Sequence, residues 1–99
     1  MDMAGIQFTW DERKNRLNQQ KHDVSFVEAK TVFYDKMARV IDDPEHSIDE
    51  ERVILLGMSQ RMRLLIVCHA FYADEQIIRI ISARKATKKE QRQYVHYYT

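Results

Sequence analysis

The feature that most constrains this chain is a change of hydrophobic period after Asp35. Upstream, Phe26, Ala29 and Phe33 recur at helical spacing and mark one buried helix face. Downstream, three runs rich in branched apolar residues follow one another: Arg52 to Met58 (RVILLGM), Arg63 to Phe71 (RLLIVCHAF) and Gln76 to Ala83 (QIIRIISA). The segments between them, around Ser59 to Met62 and Ala73 to Glu75, are short and polar. Taken with Met37 to Asp42 (MARVID) as a first strand, they predict four strands in an antiparallel meander, because parallel neighbours need long crossovers.

Capping boxes bracket that sheet with helices. Ile6 to Trp10 alternates apolar and polar and reads as a short extended segment. Thr9 and Glu12 then have capping-box spacing, which predicts a surface helix from Trp10 or Asp11 through DERKNRLNQQK, pinned by Trp10 with Leu17 on the same face. Ser25 with Glu28 opens a second helix through Tyr34, and Thr87 with Glu90 opens a third through Tyr98. The expected fold class is therefore α+β, with two N-terminal helices, a four-stranded antiparallel sheet and a C-terminal helix. At 99 residues, with no repeat, linker or low-complexity stretch, a single domain over residues 1–99 is expected.

Composition narrows the setting. A 44% hydrophobic content with only two Gly and one Pro supplies enough apolar side chain to offset chain entropy. The one cysteine, Cys68, sits inside LLIVCHAF and has no internal disulfide partner, which fits a reducing, cytoplasmic setting. No basic region followed by an apolar stretch opens the chain, and no apolar run approaches the roughly 18 residues of a span, so neither a leader nor a membrane partner is expected. The net charge of +1 hides a segregation. Between Asp35 and Glu51 seven acids face two bases, and between Arg79 and Arg92 six bases face one acid. A basic segment of that density can track phosphates or form a solvated face.

Several residues in this pattern are suited to chemistry on a phosphate. Arg79, flanked by Ile77, Ile78, Ile80 and Ile81, needs either a carboxylate partner such as Glu51 or an open anion site, since a dry unpaired guanidinium is costly. Period two places it with Ile77 and Ile81, opposite Ile78, Ile80 and Ser82. Arg84 lies just before a helix N-terminus, itself an anion-attracting place, and the two arginines are expected to converge there. Lys21-His22 closes the first helix. The pair either complements the helix dipole or supplies an acid or base, His22, next to a phosphate-binding charge, Lys21. His69 shares a face with Leu65, Val67 and Phe71 and reads as a packed histidine. DDPEHSIDEE lacks the glycine and the ligand spacing of a calcium loop, and CxxC, HExxH, GxSxG and a glycine-rich phosphate loop are all missing from the sequence. No metal or cofactor is expected.

In order along the chain, FTWDERKNRLNQQKHDVSF, EAKTVFYD, DDPEHSIDEERVILLG and RIISARKATKKEQRQY resemble the BrnT family of toxins from bacterial type II toxin–antitoxin pairs. The resemblance runs from Phe8 to Tyr94, and its most specific marks are the last stretch and the Lys-His after the first helix. One departure is Asp23, where the family usually has glycine; a left-handed turn tolerates Asp better than most residues. The resemblance implies a RelE-like, metal-independent endoribonuclease that inhibits translation and growth. It also implies a neutralising BrnA-like antitoxin, and contact with operator DNA only through that partner. On this chain it implies Arg79 and Arg84 as phosphate stabilisers with Lys21 assisting, His22 or Glu51 as proton acceptor, and Tyr94 as a donor or stacking platform. Lys85, Lys88 and Arg92 would bind the RNA. Two other readings stay open: a non-catalytic nucleic-acid-binding module on the same basic face, and a protein-interaction domain whose basic helix docks an acidic partner. Whether the chain cuts RNA, and whether it binds RNA at all, separates the three.

Overall fold

A computed structural model describes residues 5–42 and 52–97, with side chains through Tyr94. The elements run β1 (Gln7–Thr9), α1 (Glu12–His22), α2 (Phe26–Thr31) with a 3₁₀ turn (Val32–Tyr34), β2 (Arg39–Ile41), β3 (Arg52–Met58), β4 (Leu64–Tyr72), β5 (Ile77–Lys85) and α3 (Lys88–Tyr97). Among the described residues the architecture is α+β, with three helices and a five-stranded mixed sheet in the order β1-β5-β4-β3-β2. The expected antiparallel meander of four strands is present as β2 to β5. It is extended by β1, which pairs in parallel with β5, Phe8 opposite Ile78. Local periodicity identified that segment as extended but carries no signal of a partner some seventy residues away.

Each sheet face buries its own cluster. On one side Val24, Phe26, Ala29, Val32 and Phe33 from the α2 region cover Leu55, Leu65, Val67, Ile78 and Ile80. On the other, α3 brings Tyr94 against Ile54, Leu56, Ile66 and Cys68. Helix α3 begins as its sequence predicts: the Glu90 amide donates to Thr87 Oγ1 at 3.2 Å and the Thr87 amide to Glu90 Oε1 at 2.8 Å.

Helix α1 docks differently from expectation. Its cap is Asp11 rather than Thr9, with Oδ1 accepting from the Arg13 and Lys14 amides at 2.8 and 3.2 Å. Leu17 points outward, 54% exposed, and the buried side chains are Asn15 and Asn18. Asn18 acts as a surrogate strand beyond the end of β1: its side-chain amide donates to the Ala83 carbonyl at 2.8 Å, and its oxygen accepts the Ala83 amide at 3.2 Å. Asn15 Oδ1 accepts the Phe26 amide at 2.9 Å. Two asparagines therefore satisfy backbone groups that would otherwise be buried without partners, which explains how a helix with almost no apolar face is held.

The second helix starts at Ser25, whose Oγ accepts the Glu28 amide at 3.0 Å, and tightens to 3₁₀ after Thr31. Its end lies on Gly57 of β3, where an added Cβ would stand 2.8 Å from both Ala38 Cβ and Val32 Cγ1. Gly57→Ala is therefore expected to cost about 1–3 kcal/mol, the usual range for overpacking, despite alanine's better conformational entropy. Urea unfolding of the two proteins measures it; equal or higher stability of the variant would contradict this packing.

Candidate active site along the fifth strand

A β-bulge decides where the arginines of β5 point. Cys68 faces Ser82 while its neighbour His69 faces Ile80, so Ile81 is the extra residue. The bulge resets the alternation: Arg79 is opposite Ala70, Ser82 opposite Cys68 and Arg84 opposite Ile66, and those three β4 residues share one face. Arg79, Ser82 and Arg84 therefore lie on the α3 side together, whereas strict period two would separate Arg79 from Ser82 and Arg84. Five residues at about 3.3 Å each still separate the two arginine backbones by roughly 15 Å. They line a strip and do not meet at one point.

Helix α1 runs beside this strip. At its start, Asp11 is held below its ordinary carboxyl range chiefly by the Lys14 amide, with the charges of Lys14 and Arg79 adding to the effect. At its end stands His22, half-buried, with its pKa lowered by burial first and then by the positive charges of Lys21 and Arg84. The strand thus has Arg79 at one end and a group of Lys21, His22 and Arg84 at the other. A neutral imidazole beside two cations is poised to accept a proton.

Arg84 has a carboxylate partner. Its Nη1 and Nη2 donate to Glu90 Oε1 and Oε2 at 2.8 and 2.9 Å, and Glu90 is lowered to about 2, mainly by that pairing. The bidentate geometry fixes the guanidinium against the first turn of α3. Lys85, Lys88 and Arg92 are exposed, the first at the end of β5 and the others on α3. Tyr94 is not brought to the strip. It packs into the α3-side core, and its hydroxyl donates to Asp35 Oδ2 at 2.9 Å, where the Met58 amide also donates at 2.8 Å. Glu51 lies outside the described residues.

A further assembly stands next to His22, around Asp23. Glu28, expected to reach back to its own helix cap, is 5% exposed and turned toward the β3–β4 turn. There Arg63 Nε donates to Glu28 Oε2 at 2.9 Å, Arg63 Nη2 binds Glu28 Oε1, and Ser59 Oγ donates to Oε2 at 2.7 Å. The same Arg63 Nη2 donates to the Asp23 carbonyl at 2.9 Å. Asp23 itself caps α1 in the left-handed region, φ 58° and ψ 32°. The only available cue was a charge at each end of this link, Glu28 on a mostly apolar helix and Arg63 at the mouth of an apolar strand.

His69 is packed, as its strand face predicts. It is 2% exposed between Phe33 and Phe71, with ring centroids 4.8 and 5.2 Å away, and burial lowers its pKa. Among the described residues no three His, Cys, Asp or Glu side chains gather as a metal site, and no helix is long and apolar enough to cross a membrane.

The family model described as the ribonuclease toxin BrnT of type II toxin–antitoxin systems matches residues 10–90, most of the chain. The chain belongs to the BrnT family. No curated protein matches it in sequence. In structure it is similar to the crystal structure of the Brucella abortus ribonuclease toxin BrnT, with a TM-score of 0.65 at 20% identity, over 84% of this chain and 99% of that one. At that identity the likeness speaks for a shared fold.

Proposed function

We propose that this BrnT-family chain is a metal-independent endoribonuclease that inhibits translation and growth until a cognate BrnA-like antitoxin covers it. The observation that carries the reading is the β5 bulge, which turns Arg79 and Arg84 to one face along the helix that ends in Lys21-His22. Cleavage of RNA without a metal needs the 2′-hydroxyl to lose a proton and attack the adjacent phosphorus, the P–O5′ bond to break with the leaving 5′-oxygen taking a proton from the protonated base or from water, and the charge that develops on the phosphate to be met by cations. His22, neutral near pH 7, is the proton acceptor in this scheme, and Lys21 and Arg84 supply charge beside it. Arg79, whose side chain makes no hydrogen bond or ion pair among the described residues, holds a phosphate further along the strand. Lys85, Lys88 and Arg92 track the backbone electrostatically. Tyr94, with its hydroxyl on Asp35, is assigned to holding α3 in place rather than to proton transfer. The antitoxin, through its own DNA-binding part, would connect the pair to operator DNA.

Purified chain should therefore cut single-stranded RNA in excess chelator and leave 2′,3′-cyclic phosphate ends. Complete inhibition by chelator, restored by a divalent ion, would replace this scheme with a metal-dependent one.

A further inference from the structure

The chain leaves α1 through one residue, Asp23, and that residue is gripped from outside its own helix. Its amide donates to the Gln19 carbonyl at 2.9 Å, as a helix end requires. Its carbonyl accepts from Arg63 Nη2 at 2.9 Å, and its carboxylate stands 3.6 Å from Arg63 Nη1 and 3.8 Å from Lys85 Nζ. Arg63 is in turn anchored by Glu28, whose side chain is only 4% exposed and whose Oε2 also accepts from Ser59. A link of charged and hydrogen-bonded groups thus runs from the β3–β4 turn, through a buried carboxylate, to the peptide that follows His22.

We propose that Arg63, anchored by Glu28, is a positioning residue for the cleavage site: it fixes the Asp23 peptide and so sets where His22 stands beside Arg84. The inference rests on the reading of His22 as proton acceptor. Its physical basis is that a left-handed residue outside glycine is an unfavourable local choice and persists where surrounding contacts over-determine it. Arg63 supplies that contact with a planar fork that reaches a carboxylate and a carbonyl at once. The groups facing the His22 turn are Lys21 from its own helix, Arg84 and Lys85 from β5, and Arg63 from the entry to β4, so its position settles how much of their field the imidazole feels. Proton transfer is sensitive to such placement: a shift of about 1 Å can cost on the order of 100-fold in rate.

The test uses two variants. Glu28→Gln with Arg63→Met removes both charges together, keeps an acceptor for Ser59, and avoids a lone buried ion. Arg63→Lys keeps a cation for Glu28 but cannot span both partners, so it decides the matter if the paired variant fails to fold. In each, the His22 ring is titrated by NMR and cleavage of a short RNA is resolved into kcat and KM. With the turn released, His22 is expected to titrate higher, toward about 6.5, because water reaches the ring. A fall in kcat of tenfold or more is expected with KM nearly unchanged, since the exposed RNA-binding charges are untouched. Folded variants with wild-type His22 titration and wild-type kcat would overturn the proposal. A raised His22 titration with unaltered kcat would support the positioning and instead contradict His22 as proton acceptor, so the two failures are distinguishable.

Discussion

Arg63→Ala is expected to lose about 3–5 kcal/mol of stability at pH 7, the usual result of breaking a buried ion pair from one side. The loss is large because of the partner left behind. Burial alone would push the Glu28 carboxyl up, and it is lowered only because the Arg63 and Ser59 hydrogen bonds, with the charges of Arg63 and Arg61, outweigh that penalty. Without Arg63 the penalty stands. A domain of this size holds about 5–15 kcal/mol in all, so the variant would sit near its unfolding threshold. The pH dependence follows with a definite sign. In the native protein Glu28 has a depressed pKa, so its contribution is present above the unfolded carboxyl value and is lost as pH falls through the folded one. In the variant burial raises that pKa, so acidification protonates Glu28 and shrinks the difference between the proteins. Urea unfolding at neutral and mildly acidic pH measures both effects. A variant within about 1 kcal/mol of the native protein would mean that the pair behaves as a surface salt bridge.

What could be read from the sequence divides by range. The Ser25 cap and the Thr87 capping box mark real helix starts, because the interactions that make them lie within three residues. Strands β3 to β5 follow from their apolar runs, whose burial depends on composition more than on partners. Long-range pairing is different. The parallel contact of β1 with β5, the Asn18 bracket on Ala83 and the Arg63 grip on Asp23 each join distant residues, and nothing in the local pattern of either partner requires the other. The bulge at Ile81 had the largest consequence for the site. Period two correctly grouped Arg79 with Ile81 but could not show Ser82 and Arg84 returning to the same face, since one extra residue reverses every later side chain. Residue type and position point to Lys21, His22, Arg79 and Arg84 as candidates; that Arg84 is fixed by Glu90 and Tyr94 by Asp35 depends on the fold of α3 over the sheet.

His22→Gln is expected to lower RNA cleavage by about 100- to 10,000-fold, the range of a positioned general base, while leaving the fold and RNA affinity largely in place. The substitution keeps a polar side chain at a half-buried helix end and removes the group that takes the proton. Because burial and the charges of Lys21 and Arg84 depress the native imidazole, it is deprotonated at neutral pH and becomes protonated only below the ordinary histidine value. The native rate should therefore be level near pH 7 and fall on acidification, with its midpoint below about 6.5. The measurement that decides whether His22 is the proton acceptor is this pair of rates: single-turnover cleavage of one short single-stranded RNA by the native and His22→Gln proteins from about pH 5 to 8. The expected result is a native acidic limb with a midpoint below the usual histidine value, and a variant slower by at least about 100-fold in which that limb is gone. A His22→Gln protein that cuts at the native rate with the native pH profile would contradict it and place the proton acceptor elsewhere on the chain.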